Sequence, residues 1–192
     1  MLMPGAGVGG HCIPKDPWLL AYSVHENNVP LQIIPAARSV NDHMPYHMVE
    51  LLQMGMASIG KQISGSKILV MGYAYLEDSD DARNSPSQDL VLYLDARGAQ
   101  IVIHDPYIEN YKGDLLEKAQ GCEAAVVMVG HQEYRRLDLR SLASVMRTPV
   151  LIDGRSVFNP AQASQVGFTY RQVGVYPGVY DKFKLNEVKT IQ

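Results

Sequence analysis

Apolar residues recur at spacings of three and four between residues 31 and 60, which is the period of one face of an α-helix. The repeating residues are Ile33, Ala37, Val40, Met44, Met48, Leu51 and Met54. The spacing predicts one long amphipathic helix, although Pro45 lacks a backbone donor and should kink the helix or split it at Met44. Such a stripe serves equally well for packing within the chain and for a dimer interface.

From about residue 66, short apolar runs alternate with stretches of helical periodicity. Residues 67–72 form a continuous run that is typical of a buried parallel strand. A helix follows from Ser85-Pro86 and stops before Gly98. Further strands are predicted at 101–103, 124–129 and 150–153, with helices around Leu115 and Leu142. The βαβαβαβ order predicts an α/β fold, a parallel sheet with helices on both faces and ligands at the carboxyl ends of its strands.

The first 30 residues contain a glycine-rich loop, a cysteine and a short helix. Glycines at 5, 7, 9 and 10 allow backbone N–H groups to approach a ligand closely. Asp16-Pro17 predicts the N-cap and first residue of a helix that ends near Asn27-Asn28. Its apolar face consists of Trp18, Leu19, Leu20 and Tyr22. Cys12 lies one turn before that helix and close to Lys15, and both positive fields favour the nucleophilic thiolate, so we expect Cys12 to be chemically active.

These patterns divide the 192 residues into three regions. Residues 1–30 form the cysteine loop and short helix, 31–60 the long connecting helix, and 61–192 the α/β domain. A hydrophobic fraction of 46% is sufficient for a core in a chain of this length.

Composition excludes several classes of function. A net charge of −3 without a basic stripe argues against nucleic acid as a partner. The chain has neither a long apolar run nor a signal-peptide pattern, so we expect a cytoplasmic protein that does not enter a membrane. Cys12 and Cys122 cannot form a disulfide framework, and we expect Cys122 to be buried and structural. His11 beside Cys12 has no companion pair at metal-ligand spacing, so no metal site is predicted.

The loop after the first predicted strand tests whether the α/β domain binds a dinucleotide. A dinucleotide fold requires G-x-G-x-x-G at this point, whereas residues 72–77 read Gly-Tyr-Ala-Tyr-Leu-Glu. The loop is also acidic, with Glu77, Asp78, Asp80 and Asp81. Arg83 in this loop and Arg155 after the fourth strand suit an anionic ligand at the sheet edge, or pair with nearby aspartates.

Four segments carry motifs in a characteristic order. They are Gly-Gly-His-Cys-Ile-Pro-Lys-Asp-Pro at 9–17, Ala-Arg-Ser-Val-Asn-Asp at 37–42, the loop 72–86, and Asp-Gly-Arg at 153–155. In order and spacing they resemble the UDP-glucose/GDP-mannose dehydrogenase family, and the Gly-Gly-His-Cys and Val-Asn-Asp forms resemble its UDP-N-acetylmannosamine dehydrogenase branch. The resemblance implies a C-terminal Rossmann-like parallel-sheet domain of the UDP-sugar-binding type, preceded by a catalytic-cysteine loop and a long connecting helix.

The resemblance also implies a chemistry, the four-electron oxidation of a sugar C6 alcohol to a carboxylate by NAD. In that scheme Cys12 attacks the C6 aldehyde, the resulting thiohemiacetal loses hydride to a second NAD⁺, and water cleaves the thioester that this oxidation produces. Asp16 matches the aspartate that assists proton transfer with water. Lys15 and Arg83 match cofactor contacts. The matching UDP-sugar contacts are Gly7, Val8, Gly9, Tyr75 and Arg155, with Arg155 at the diphosphate.

The sequence departs from the family at two points. Leu76 stands where the family usually has lysine, which removes a charge-assisted hydrogen bond of roughly 1.5–3 kcal/mol at the diphosphate. The N-terminal Rossmann domain with the NAD fingerprint is also missing, so the chain resembles roughly the second half of the enzyme. We therefore expect NAD to be bound mainly by a separate N-terminal half, and the chain alone to be inactive.

Two functions remain open at this point. The first is the catalytic-cysteine and UDP-sugar half of an NAD-dependent nucleotide-sugar 6-dehydrogenase, assembled as a homodimer through the 31–60 helix. The second is a non-catalytic nucleotide-sugar-binding or dimerisation remnant. A cysteine hydrolase is disfavoured because His11 is adjacent to Cys12 and neighbouring side chains usually diverge.

Overall fold

The computed structural model describes residues 4–24 and 31–175. Two helices precede the sheet, α1 (Asp16–Val24) and α2 (Ile33–Ala57). The remaining elements are β1 (Lys67–Met71), α3 (Pro86–Asp95), β2 (Gln100–His104), a 3₁₀ turn (Glu109–Tyr111), α4 (Leu115–Ala119), β3 (Ala124–Val127), α5 (Gln132–Arg135), α6 (Leu139–Val145), β4 (Val150–Asp153), α7 (Pro160–Val166) and β5 (Thr169–Gln172). The predicted helix end near Asn27-Asn28 lies outside the described residues.

Five parallel strands form one sheet in the order β2-β1-β3-β4-β5. This confirms the predicted α/β fold. In register, Ile68 of β1 lies opposite Ile101 of β2 on one side and Ala124 of β3 on the other. The chain turns from one direction along the sheet to the other at the junction of β1 and β3, so a crevice opens outside their carboxyl ends.

The strand β5 was not predicted from the sequence. It pairs with β4 at the edge of the sheet, and its four residues read Thr-Tyr-Arg-Gln. Such a strand needs no apolar run because only Tyr170 among its residues is buried.

Two apolar layers cover the two faces of the sheet. On one face α2 and α3 pack against alternate strand residues such as Ile68 and Val70. The helices α4, α6 and α7 pack on the other face, against Leu69, Met71 and Leu151. The sheet is therefore buried on both faces, as the apolar strands require.

The helix α2 is continuous over 25 residues and contains Pro45. The predicted alternative of two helices separated at Met44 is therefore wrong. Proline removes one backbone hydrogen bond, and the packing around the buried Pro45 tolerates that loss. Neither α2 nor any other helix within 4–24 and 31–175 combines the length and apolarity needed to cross a membrane.

The apolar stripe of α2 has two different environments. Its second half, from Met48 to Met56, belongs to the core of the sheet. In its first half, Ile33 and Val40 are 83% and 66% exposed. Packing within the chain therefore accounts for the second half of the stripe, whereas Ile33 and Val40 in the first half are uncovered by the residues that the structure describes.

The close contact between β1 and β3 at Gly72 can be tested by substitution. Gly72 has φ +91°, and a Cβ atom there would lie 2.5 Å from Cβ of Val129. Gly65 has a similar φ of +75°, with no atom within 4 Å of the same position. We expect Gly65→Ala to lower the free energy of unfolding by about 1–2 kcal/mol. Gly72→Ala should lower the free energy of unfolding by about 1–3 kcal/mol more than Gly65→Ala does, because the ends of the two strands must separate. Equal losses of unfolding free energy for the two variants, measured by chemical denaturation, would contradict this.

Candidate functional site

A cavity of about 560 Å³ opens at the carboxyl ends of β1, β3 and β4. Four parts of the chain meet there: the glycine-rich loop, the loop after β1, the residues that follow β3, and the residues that follow β4. The lining residues are Pro4, Gly7, Val8, Gly9, Ile13, Tyr75, Leu76, Glu77, Val129, Arg135, Arg155 and Ser156. The cavity lies at the position in a parallel sheet where ligands bind.

The glycines of the loop allow close contact with other parts of the protein. A Cβ atom on Gly9 would lie 2.1 Å from the carbonyl oxygen of Asn84, and one on Gly10 would lie 2.7 Å from the ring of Tyr75. The amide of Gly10 donates to the carbonyl of Arg83 at 3.1 Å. The sequence pattern predicted close approach to a ligand, and the structure shows close approach to the loop that follows β1.

Asn41 of α2 holds the glycine-rich loop from a second side. Its Oδ1 accepts from the amide of Val8 at 2.8 Å, and its Nδ2 donates to the carbonyl of Val8 at 3.0 Å. The Val-Asn-Asp motif therefore has a local structural task, which is to fix the loop against α2.

Arg155 joins the glycine-rich loop to the sheet. Its Nε donates to the carbonyl of Met128 at 2.8 Å and its Nη2 to the carbonyl of Gly7 at 2.6 Å. Burial lowers the pKa of Arg155, and the charge of Glu77 partly offsets this effect. Arg155 thus lines the cavity and also holds in place the loop that forms its wall. Neither predicted alternative for this side chain included bonds to backbone carbonyls.

Cys12 is exposed in a turn before α1, next to Ile13 of the cavity wall. Its carbonyl accepts from the amides of Lys15 and Asp16. The helix begins at Asp16, and the carbonyl of Lys15 accepts from the amide of Leu19. Asp16 is therefore the first helical residue, and its predicted role as N-cap is wrong. Its Oδ1 lies 3.5 Å from Nζ of Lys15, with both side chains about half exposed.

The apolar face predicted for α1 is only partly covered in the described parts of the chain, where this helix makes a small contact with α2. None of the helix residues is buried. Trp18, Leu19 and Leu20 are each about half exposed. The cysteine turn is consequently open on the side of α1.

Arg83 pairs with an aspartate, as one of the two sequence interpretations allowed. Its Nε and Nη2 donate to the two carboxylate oxygens of Asp81 at 2.9 and 2.6 Å, while the side chain remains 65% exposed. Hydrogen bonds from Arg83 lower the pKa of Asp81. Arg83 does not line the cavity, but its exposed guanidinium, like the half-exposed ammonium group of Lys15, is available to a ligand outside it.

Sequence reasoning missed the buried pair Asp105 and His131, which organises the loop after β1. Oδ2 of Asp105 accepts from the amides of Tyr73 and Ala74 at 2.6 and 2.9 Å. His131 Nδ1 accepts from the amide of Asp78 at 2.9 Å. Its proton must therefore be on Nε2, which lies 3.2 Å from Oδ2 of Asp105. The two side chains fix both ends of the loop that presents Tyr75 and Leu76 to the cavity.

The available sequence signal for this pair was weak. Asp105 directly follows β2 and His131 comes four residues after β3, so both lie at the carboxyl edge where polar residues serve a site. Burial alone would raise the pKa of Asp105, but the bonds from His131 and from backbone amides hold this pKa well below its ordinary value. The side chain is therefore a buried anion that accepts backbone hydrogen bonds.

Comparison with known proteins identifies the family. Residues 69–160 match the UDP binding domain of the UDP-glucose/GDP-mannose dehydrogenase family, and residues 1–43 match its central domain. UDP-N-acetyl-D-mannosamine dehydrogenase of Pyrococcus horikoshii is 33% identical over 89% of the chain and 40% of that protein. The chain belongs to the UDP-glucose/GDP-mannose dehydrogenase family. This confirms the resemblance carried by the four sequence motifs.

Other members of the UDP-glucose/GDP-mannose dehydrogenase family show the same partial coverage. UDP-glucose 6-dehydrogenase of Rhizobium meliloti is 32% identical over 90% of the chain and 41% of that protein. The crystal structure of an NDP-N-acetyl-D-galactosaminuronic acid dehydrogenase from Methanosarcina mazei superposes with a TM-score of 0.84 at 38% identity, over 91% of the chain and 40% of that structure. The chain thus spans about 40% of the length of the relatives that it matches.

The site offers few ligands for a metal ion. Within 4–24 and 31–175, no three histidine, cysteine or carboxylate side chains lie close enough together to hold one. The polar side chains that line the cavity are instead two arginines, one carboxylate and two hydroxyls, which belong to Arg135, Arg155, Glu77, Tyr75 and Ser156.

The role of Asp105 leads to a prediction about stability and pH. We expect Asp105→Asn to lower the free energy of unfolding at neutral pH by roughly 2–4 kcal/mol, because an amide cannot accept all of these bonds. The pKa of Asp105 is lowered on folding from about 3.9, so its contribution is complete above about pH 5 and is lost as the pH falls further. The free energy of unfolding, measured by chemical denaturation at a series of pH values between acid and neutral, should therefore change less with pH for Asp105→Asn than for the unsubstituted protein.

The exposed Asp95 on α3 provides the control for this experiment. Asp95→Asn should leave both the stability and its pH dependence close to those of the unsubstituted protein. Parallel pH profiles for Asp105→Asn and the unsubstituted protein would show that Asp105 is not the buried anion described above.

Proposed function

We propose that the chain provides the catalytic cysteine and the UDP-sugar-binding lobe of an NAD-dependent nucleotide-sugar 6-dehydrogenase of the UDP-N-acetylmannosamine type. The observation that supports this most strongly is the meeting of the cysteine loop with two arginines at one cavity of a parallel sheet. Membership of a dehydrogenase family supplies the class of reaction.

In this proposal each part of the cavity contacts a different part of the substrate. The cations of Arg135 and Arg155 face the diphosphate, and Tyr75 faces the nucleotide-sugar from the loop after β1. The backbone of Gly7, Val8 and Gly9 borders the sugar and directs it towards Cys12. Leu76 is 53% exposed at the cavity and offers no charge to the diphosphate.

Cys12 is the proposed nucleophile, and Asp16 is the proposed proton carrier. The exposed Cys12 lies in the turn directly before α1. The thiolate adds to the C6 aldehyde to form a thiohemiacetal, loss of a hydride converts this to a thioester, and water then releases the acid and frees the sulfur. Asp16 occupies the first turn of the same helix and exchanges protons with that water.

The cofactor fits this chain only in part. The loop after β1 lacks the glycines that a dinucleotide pyrophosphate needs, so it forms no cradle for NAD. Lys15 and Arg83 are exposed cations on the side of the cysteine turn, and we propose that they contact the cofactor from there. When bound, NAD accepts the hydride removed from the sugar. An N-terminal half that supplies most of the NAD contacts is part of the proposal.

The isolated chain should bind the nucleotide but should not catalyse the reaction. We expect calorimetry to show binding of UDP, whereas mixing the chain with NAD and UDP-N-acetylmannosamine should produce no NADH. Adding an NAD-binding half should start NADH production, and Cys12→Ser should abolish it without changing the affinity for UDP. Turnover by the chain alone would contradict the division of roles.

The second candidate function is a non-catalytic remnant. The uncharged Leu76 at the cavity favours it, because one expected diphosphate contact is missing. This candidate predicts no heat of binding and no shift in melting temperature with UDP.

We also propose that the first half of α2 forms a homodimer interface. Its exposed Ile33 and Val40 border an apolar groove of about 610 Å³ between α2 and the glycine-rich loop. Burying a continuous apolar surface of this kind would stabilise association.

The dimer can be tested with a matched pair of substitutions. Val40→Glu places a charge in the groove, and Leu92→Glu places one at a leucine that is similarly exposed on α3. We expect light scattering to show a monomer for Val40→Glu and a dimer for Leu92→Glu. Equal masses for the two variants would contradict this interface.

A further inference from the structure

The cavity at the carboxyl ends of the strands contains a carboxylate of the protein itself. Oε1 of Glu77, in the loop after β1, lies 3.2 Å from Nη2 of Arg135 on α5. Both residues line the cavity together with Arg155. The charge of Glu77 also acts on Arg155, opposing the effect of burial on its pKa. Glu77 is therefore an anion beside both cations of the cavity.

The segment between β3 and α5 provides room for this ion pair at Gly130. A Cβ atom on Gly130 would lie 2.6 Å from Oε1 of Glu77 and 2.9 Å from Nη2 of Arg135. Any larger residue at 130 would displace the pair. On the Glu77 side, the next residue, Asp78, is fixed by the bond from its amide to the buried His131. The ion pair therefore lies between Gly130 on one side and the fixed backbone of Asp78 on the other.

The two arginines of the cavity differ in how firmly they are held. Arg155 is committed to the carbonyls of Gly7 and Met128. In the described parts of the chain, the guanidinium of Arg135 has Glu77 as its only hydrogen-bonding partner, and the two side chains are 36% and 46% exposed. A pair with this exposure is weak, so an incoming anion can separate it. Arg135 is the cation whose partner can be exchanged.

We propose that Glu77 competes with anionic ligands for Arg135. It pairs with Arg135 in the free protein and is displaced by a phosphate of the ligand. The inference rests on the proposed function, since it takes the ligand to be a nucleotide diphosphate bound in this cavity. Phosphate and carboxylate are alternative partners for one guanidinium. The measured affinity for the ligand is then lower than its intrinsic value, because part of the protein holds Arg135 in the internal pair.

The test measures UDP binding to four forms of the chain by calorimetry. Glu77→Gln removes the competing charge, so it should bind UDP about two- to fivefold more tightly than the unsubstituted protein. Arg135→Gln should bind UDP more weakly. In the double variant Glu77→Gln, Arg135→Gln, the gain from Glu77→Gln should disappear. Uridine carries no phosphate, so its affinity should be the same with and without Glu77→Gln.

The outcomes separate this inference from the proposed function. If the unsubstituted protein binds UDP and Glu77→Gln binds it no better, the competitor role is overturned while the proposed function stands. A gain that persists in the double variant would show general charge repulsion and would also overturn it. An equal gain in affinity for uridine would show that Glu77→Gln only widens the cavity, and it too would overturn the competitor role. If no form binds UDP, both proposals fail.

Two controls support the interpretation of these measurements. Glu117→Gln removes an exposed carboxylate on α4 that does not line the cavity, and it should leave UDP affinity unchanged. The melting temperature of each variant should remain close to that of the unsubstituted protein, since the pair is partly exposed.

Discussion

The loops around the cavity depend on two buried carboxylates at the ends of strands. Asp105 follows β2, and Asp153 ends β4, so the two flank the pair β1 and β3 where the crevice opens. Asp105 binds the amides of the loop after β1, and Asp153 binds those of Arg155, Val157 and Phe158. Each carboxylate pairs backbone groups that would otherwise be buried without partners. The shape of the site therefore follows from two side chains that do not line it.

Arg155 extends this organisation to the other end of the chain. Asp153 fixes the backbone of Arg155, and the guanidinium of Arg155 then holds the carbonyl of Gly7, which is 148 positions away in sequence. The position of the glycine-rich loop therefore depends on the end of β4. Any substitution that disturbs the end of β4 should therefore also alter the surroundings of Cys12.

Much of the fold could be predicted from the sequence, because buried parallel strands are marked by apolar runs. The strand β5 escaped prediction since an edge strand with one buried residue has no such run. The predicted N-cap, Asp16, is one residue too late. The carbonyl of Lys15 accepts the first hydrogen bond of the helix, and whether residue 15 or residue 16 does so depends on backbone angles that the sequence does not show. The family motifs correctly identified the family. They could not show that Arg155 binds carbonyls or that Asp105 meets His131, because these contacts join residues far apart in sequence.

The two sides of the candidate site differ in how completely this chain builds them. On the sheet side, buried hydrogen bonds fix Tyr75, Arg155 and the backbone of Gly7 before any ligand arrives, so little order has to be gained on binding. On the side of α1, no helix residue is buried, and Trp18, Leu19 and Leu20 contact water. Covering that face would remove apolar surface from water and shield the cysteine turn at the same time. A fixed arginine in the cavity beside an exposed cysteine is the arrangement expected if, as proposed, recognition of the nucleotide-sugar belongs to this chain and chemistry requires a further partner.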